Sequence, residues 1–225
     1  MIKVFLLSRS YQCLAVLLML ISLNGHTASD ELVAAEASGS AQRKTLLVIG
    51  DSLSAAYKLP VKQGWVYLLQ QRLQQRDPAY TVINASISGA TTAAAIQLLD
   101  QSLEKHDPGV VILELGGNDG LQGKPVSYIT DNLRRLIRMS KTHGAKVLLI
   151  GVRMPPNFGS RYAEPFFEQY AMLAEEEDLA LVPFILDGVA GRSELMLEDG
   201  LHPSAPGQKI ILQNVWRELG PLIGK

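Results

Sequence analysis

Three side chains able to transfer an acyl group stand at turns of this chain. Ser52 lies in Gly50-Asp51-Ser52-Leu53, directly after the apolar run Leu46-Leu47-Val48-Ile49. Asp199 and His202 lie in Asp199-Gly200-Leu201-His202-Pro203, near the other end. A serine hydroxyl is a weak nucleophile at neutral pH and needs an adjacent base, which a third group must orient. Across a tight turn, residues at i and i+3 can approach, so the Asp199 carboxylate can accept from the His202 ring and fix its tautomer. Alone, the serine reads as a turn and helix cap, and the histidine as a loop residue before a helix. Together they predict a nucleophile (Ser52), a base (His202) and its orienting partner (Asp199). The Gly-x-Ser-x-Gly elbow of the α/β-hydrolases is absent, because Ser54 stands where it needs glycine.

Acyl transfer also builds negative charge on the carbonyl oxygen, which fixed N–H donors must meet. Leu115-Gly116-Gly117-Asn118-Asp119-Gly120 offers the Asn118 amide, and Asn84-Ala85-Ser86-Ile87-Ser88-Gly89-Ala90 offers the Gly89 backbone N–H. Without a Cβ, Gly89 lets a substrate approach closely. The glycines around Asn118 do not form a dinucleotide motif, no phosphate-loop lysine follows, and the ligand spacing of a calcium loop is missing. The residues call for no metal and no cofactor. His106 and His143 close predicted helices, where a cation suits the macrodipole.

These residues sit between alternating elements. Apolar runs at Thr45–Ile49, Tyr80–Asn84, Val110–Leu115, Lys146–Ile150 and Leu181–Phe184 predict strands. Between and after them, Trp65–Arg76, Thr92–Lys105, Tyr128–Thr142, Tyr162–Glu177 and Ala205–Leu219 predict helices. Ile129, Leu133, Leu136 and Ile137 recur at helical spacing, giving one apolar face. Asp77-Pro78, Asp107-Pro108-Gly109 and His143-Gly144 supply the stops. Strands alternating with helices imply an α/β fold with a parallel five-stranded sheet covered on both faces. Ligands of such sheets bind beyond the carboxyl ends of the strands, where every candidate residue falls.

With 21 basic and 22 acidic side chains the chain shows no electrostatic footprint for nucleic acid. Lys3 and Arg9 precede an apolar stretch from Cys13 to Leu23 and a small, polar exit. Residues 1–29 therefore read as a signal peptide, with an uncleaved membrane anchor as the alternative. The sole cysteine, Cys13, falls in that segment, so the mature chain forms no disulfide of its own. Residues 30–43, rich in Ala, Ser and Glu, read as a flexible tether, and residues 44–225 as one catalytic domain. The expected location is the periplasm.

Ser52, Gly89, Asn118 and His202, in this order and in these loops, resemble the four marker residues of the SGNH (GDSL-type) hydrolases. The likeness runs from about Thr45 to Leu222. It is greatest to the bacterial periplasmic acyl-CoA thioesterase I/protease I/lysophospholipase group, also described as arylesterases. One departure is Ala90, at a position where members of that group carry an aspartate. The resemblance implies a flavodoxin-like three-layer α/β/α sandwich. It also implies an oxyanion hole from the Ser52 and Gly89 N–H groups and the Asn118 amide. An acyl-chain groove would be lined by the loop Gly120–Pro125 and by Arg153-Met154-Pro155-Pro156.

The expected activity is hydrolysis of acyl esters, thioesters or lysophospholipids, with no obligate protein partner. A carbohydrate O-acetylesterase and a non-catalytic lipid- or acyl-binding module are the alternatives. Leu121, Met154, Pro155 and Ile185 are expected near the groove mouth, where aliphatic surface suits an acyl chain better than a sugar.

Overall fold

The computed structural model describes residues 44–225 apart from Pro78. The expected signal peptide and tether lie outside the described residues. Five strands alternate with helices: β1 Thr45–Gly50, β2 Thr81–Asn84, β3 Val110–Glu114, β4 Lys146–Ile150 and β5 Ala180–Val182. The helices are α1 Trp65–Arg76, α2 Thr92–His106, α3 Gly117–Leu121, α4 Val126–Thr142, α5 Ser160–Glu177 and α6 Ala205–Leu222. All strand pairs are parallel, in the order β2-β1-β3-β4-β5.

The central strands are apolar because both their faces are covered. Leu46 to Ile49 and Val111 to Leu113 are fully buried, each side chain contributing about 1.5–3 kcal/mol by leaving water. Helices α1 and α6 pack on each other, and α2, α4 and α5 form a second row. On α4, Ile129, Leu133, Leu136 and Ile137 are fully buried, as their spacing requires. The α2 helix starts with Thr91 capping the Ala94 N–H and stops at Asp107, whose φ of 40° is left-handed. The α4 helix stops at His143, followed by Gly144 at φ 82°.

Two elements differ from the sequence expectation. The last strand is shorter and begins earlier than Leu181–Phe184, because Pro183 has no N–H to continue the ladder. The glycine-rich segment after β3 contains the five-residue helix α3 rather than a plain loop. Gly116 enters it at φ 109°, and a Cβ there would lie 2.5 Å from the Tyr170 hydroxyl. That hydroxyl donates to the Leu115 carbonyl at 2.8 Å, pinning the end of β3.

Candidate active site

The register of β1 against β3 sets Gly50 opposite Glu114 and brings the two following loops together. After β1 the chain turns at once. The Asp51 carboxylate accepts from the Leu53 N–H at 3.0 Å, and the Asp51 carbonyl accepts from the Ala55 N–H at 2.9 Å. Gly50 is required by crowding, since a Cβ would lie 2.8 Å from Ser54 and 2.9 Å from Glu114 Oε2. This turn presents Ser52 half-buried at the sheet edge.

The loop before α6 supplies the partners. Asp199 Oδ1 accepts from the Leu201 and His202 N–H groups, each at 3.0 Å. Its Oδ2 lies 2.9 Å from His202 Nδ1. The other ring nitrogen, Nε2, lies 2.9 Å from Ser52 Oγ. With the Nδ1 proton on the Asp199 side, Nε2 is left to accept from the hydroxyl. Partial burial works against the Asp199 charge, yet the His202 backbone and ring and the Leu201 N–H outweigh it and hold the carboxyl at about 2. The Tyr57 ring lies against the imidazole, with centroids 4.3 Å apart.

Asn118, in the first turn of α3, has its amide fixed. Its nitrogen donates to Asp51 Oδ2 at 3.1 Å and to the Ala90 carbonyl at 3.0 Å. The second bond sets Asn118 beside the loop carrying Gly89. Gly89 is exposed, at φ 83°, with nothing within 4 Å of where a Cβ would stand. The N–H groups of Ser52 and Gly89 make no hydrogen bond among the described residues. Asp119, next to Asn118, is fully buried and accepts from the Thr92 N–H and hydroxyl, both at 2.8 Å. It ties α3 to the N-terminus of α2, where negative charge is favoured.

A groove of about 550 Å³ opens from Ser52 and His202. Leu121, Met154 and Pro155 line it, as do Arg153 and Pro156. Two expectations are corrected. Of the stretch Gly120–Pro125, only Leu121 lines the groove, because the chain turns away after α3. Ile185 is fully buried in the core, and its neighbours Phe184 and Leu186 reach the groove instead.

The sequence reading also missed a buried carboxyl pair beneath Ser52. Glu114 is fully buried, and its Oε2 accepts from the Ser54 hydroxyl at 2.8 Å and the Asp51 N–H at 3.3 Å. No donor among the described residues reaches its Oε1. Burial, and then the nearby Asp51 charge, push Glu114 well above the carboxylate range. Burial also raises Asp51, to about 6, although the Leu53 N–H and His202 pull it down. Burial thus favours the protonated form of Glu114, and the Asp51 carboxylate accepts from Asn118. An acidic residue closing a doubly buried strand was the available signal. Tyr57 left no signal. Among the described residues, no group of three or more His, Cys, Asp or Glu is placed to hold a metal ion.

Comparison with known proteins agrees with this geometry. Residues 48–210 match the GDSL-like Lipase/Acylhydrolase family. The chain is 47% identical over 183 residues to the esterase TesA of Pseudomonas aeruginosa, covering 81% of this chain and 91% of that protein. It is 38% identical over 179 residues to thioesterase 1/protease 1/lysophospholipase L1 of Escherichia coli, covering 80% and 85%. The crystal structure of TesA superposes with a TM-score of 0.77 at 48% identity, covering 79% of this chain and 99% of that one. A parallel sheet with helices on both sides, carrying Ser52 and His202 at its edge, thus has its place: the chain belongs to the GDSL-like Lipase/Acylhydrolase family, the SGNH hydrolases.

Proposed function

We propose that this chain hydrolyses carboxylic esters and thioesters of acyl chains through an acyl-enzyme on Ser52. The observation that carries the reading is the continuous contact from Asp199 through His202 to Ser52, at 2.9 Å per step, at the end of an apolar groove. His202 Nε2 takes the hydroxyl proton as Ser52 Oγ attacks the carbonyl carbon, and Asp199 balances the imidazolium. The oxyanion meets the Ser52 and Gly89 N–H groups, with Asn118 sharing one of its amide hydrogens. Collapse breaks the bond to the leaving group, which departs with the proton from Nε2. Water then attacks the acyl-enzyme, giving its proton to His202, and Ser52 leaves as the restored hydroxyl.

The names of the relatives support esters, thioesters and lysophospholipids as the substrate class. The apolar lining from Leu121, Met154 and Pro155 favours an acyl chain over a sugar. Residues 1–29 support export to the periplasm. A chromogenic acyl ester with wild type and Ser52→Ala tests the reading, together with a serine-directed phosphonate and peptide mapping. Wild type should turn over and be labelled on Ser52 alone, and the variant should do neither. Wild type that binds the acyl ester without turnover would make the chain a binding module, and label on another serine would move the nucleophile.

A further inference from the structure

Among the described residues, Arg153 is the only lysine or arginine lining the groove that contains Ser52 and His202. It follows β4 by three residues and is exposed, between the buried Val152 and Met154. Its guanidinium carbon stands 3.7 Å from the ring centroid of Phe167 and 5.3 Å from that of Phe184. Arg134, Arg138 and Arg192 are each paired with glutamates. Arg153 makes no ion pair or hydrogen bond among the described residues.

Stacking engages the face of a guanidinium and leaves its N–H edge available. Here the ring contacts restrict a long side chain in advance, so less freedom is lost when a ligand arrives. A fixed fork of donors matches the oxygens of a phosphate, in two-pronged fashion. The acyl chain has apolar surface elsewhere in the groove and no use for this cation.

We propose that Arg153 sets substrate specificity by binding a phosphate carried by the ester or thioester, a role that rests on the hydrolase reading above. The phosphate could belong to a coenzyme A leaving group or to a lysolipid headgroup, which share this chemistry. Both sources present it outside the scissile bond, at the rim rather than in the acyl chain.

The test compares substrates matched in acyl chain, at concentrations below aggregation. Acyl-coenzyme A is set against the N-acetylcysteamine thioester, and lysophosphatidylglycerol against monoacylglycerol. For each pair the readout is kcat/KM of the phosphate-bearing substrate divided by that of its neutral partner. In Arg153→Gln this ratio should fall about tenfold, mainly through KM, the scale of a lost charge-assisted contact. In wild type the ratio should also fall as salt is raised. A fall in the thioester pair alone assigns coenzyme A, one in the lysolipid pair alone assigns the headgroup, and both together assign the shared phosphate. Arg153→Lys should keep a ratio above that of Arg153→Gln, and a value at or below it would overturn the role of charge. Equal losses on both members of each pair would make Arg153 a prop for the groove wall, and unchanged ratios would also overturn the proposal. Neutral substrates turned over by wild type with flat ratios would leave the hydrolase reading standing. No turnover of any substrate would remove that reading itself.

Discussion

Replacing Glu114 by glutamine tests whether a proton is held beneath the Ser52 loop. Glutamine keeps the size of the side chain and an acceptor for the Ser54 hydroxyl and the Asp51 N–H, both now served by Oε2. It removes one ionisable group from a fully buried site. A carboxyl raised by folding binds its proton more tightly in the native state. Its contribution is complete below the unfolded value and is lost as pH rises through the folded one. For Asp51 that window runs from 3.8 to about 6, which corresponds to about 3 kcal/mol. Glutamine leaves this step in place, because burial rather than Glu114 is its main cause. For Glu114 the window opens at 4.5 and extends well above it. Wild type should therefore keep losing about 1.4 kcal/mol for each pH unit beyond the Asp51 step while folded Glu114 stays protonated. The variant should not. Asp77, Glu176, Glu177, Glu194 and Asp199 are all lowered, so their stabilisation is lost only on acidification below their ordinary values.

Urea unfolding of both proteins at fixed ionic strength, at about pH 6 and about pH 8, reads the difference. Wild type should lose more stability than Glu114→Gln over that interval, by about 1.4 kcal/mol for each pH unit through which folded Glu114 stays protonated. Parallel pH dependences would refute the reasoning, since Glu114 would then be ionised throughout.

Asn118→Ala should lower kcat by about 10²–10³, with KM changing much less; a raised KM with kcat intact would place Asn118 in ground-state binding. The same variant strips a donor from Asp51 Oδ2 and the Ala90 carbonyl, so chemical denaturation should show a loss of about 1–3 kcal/mol. Asp199→Asn should lower kcat by about 10²–10⁴ through loss of the enforced tautomer. With Asp199 held at about 2, that deficit should persist across a pH–rate profile above about pH 4; a deficit confined to one limb would contradict it.

Much of this was legible because β1, β3 and the turns after them obey local rules. Leu46 to Ile49 is apolar without alternation because both faces are covered, and Ser52 follows where the run stops. Asp199 and His202 could be paired from spacing alone, and their contact is local. The illegible parts depend on which loop meets which. Asp51 and Glu114 are 63 residues apart and come together only through the β1–β3 register. Tyr57 reaches His202 across more than twice that gap in the chain. At Phe184, Ile185 and Leu186, composition could not say which aliphatic or aromatic face turns inward, and the strand break at Pro183 decided it.

Strand order explains why four separated motifs form one site. The chain leaves β1 for β2 on one side, then returns past it to β3 on the other. That reversal opens a crevice at the carboxyl end of β1, the place where open α/β sheets bind ligands. The loops after β1, β2 and β3 carry Ser52, Gly89 and Asn118, so the three meet because their strands are neighbours. The Asn118 bond to the Ala90 carbonyl closes this arc, and Asp51 sits at its centre as the shared acceptor. A charge at Asp51 is useful there only if Glu114 below it stays neutral, since two buried like charges cannot both persist cheaply. The raised Glu114 carboxyl is therefore tied to the geometry of the Asn118 amide, and it lies fully buried beneath Asp51.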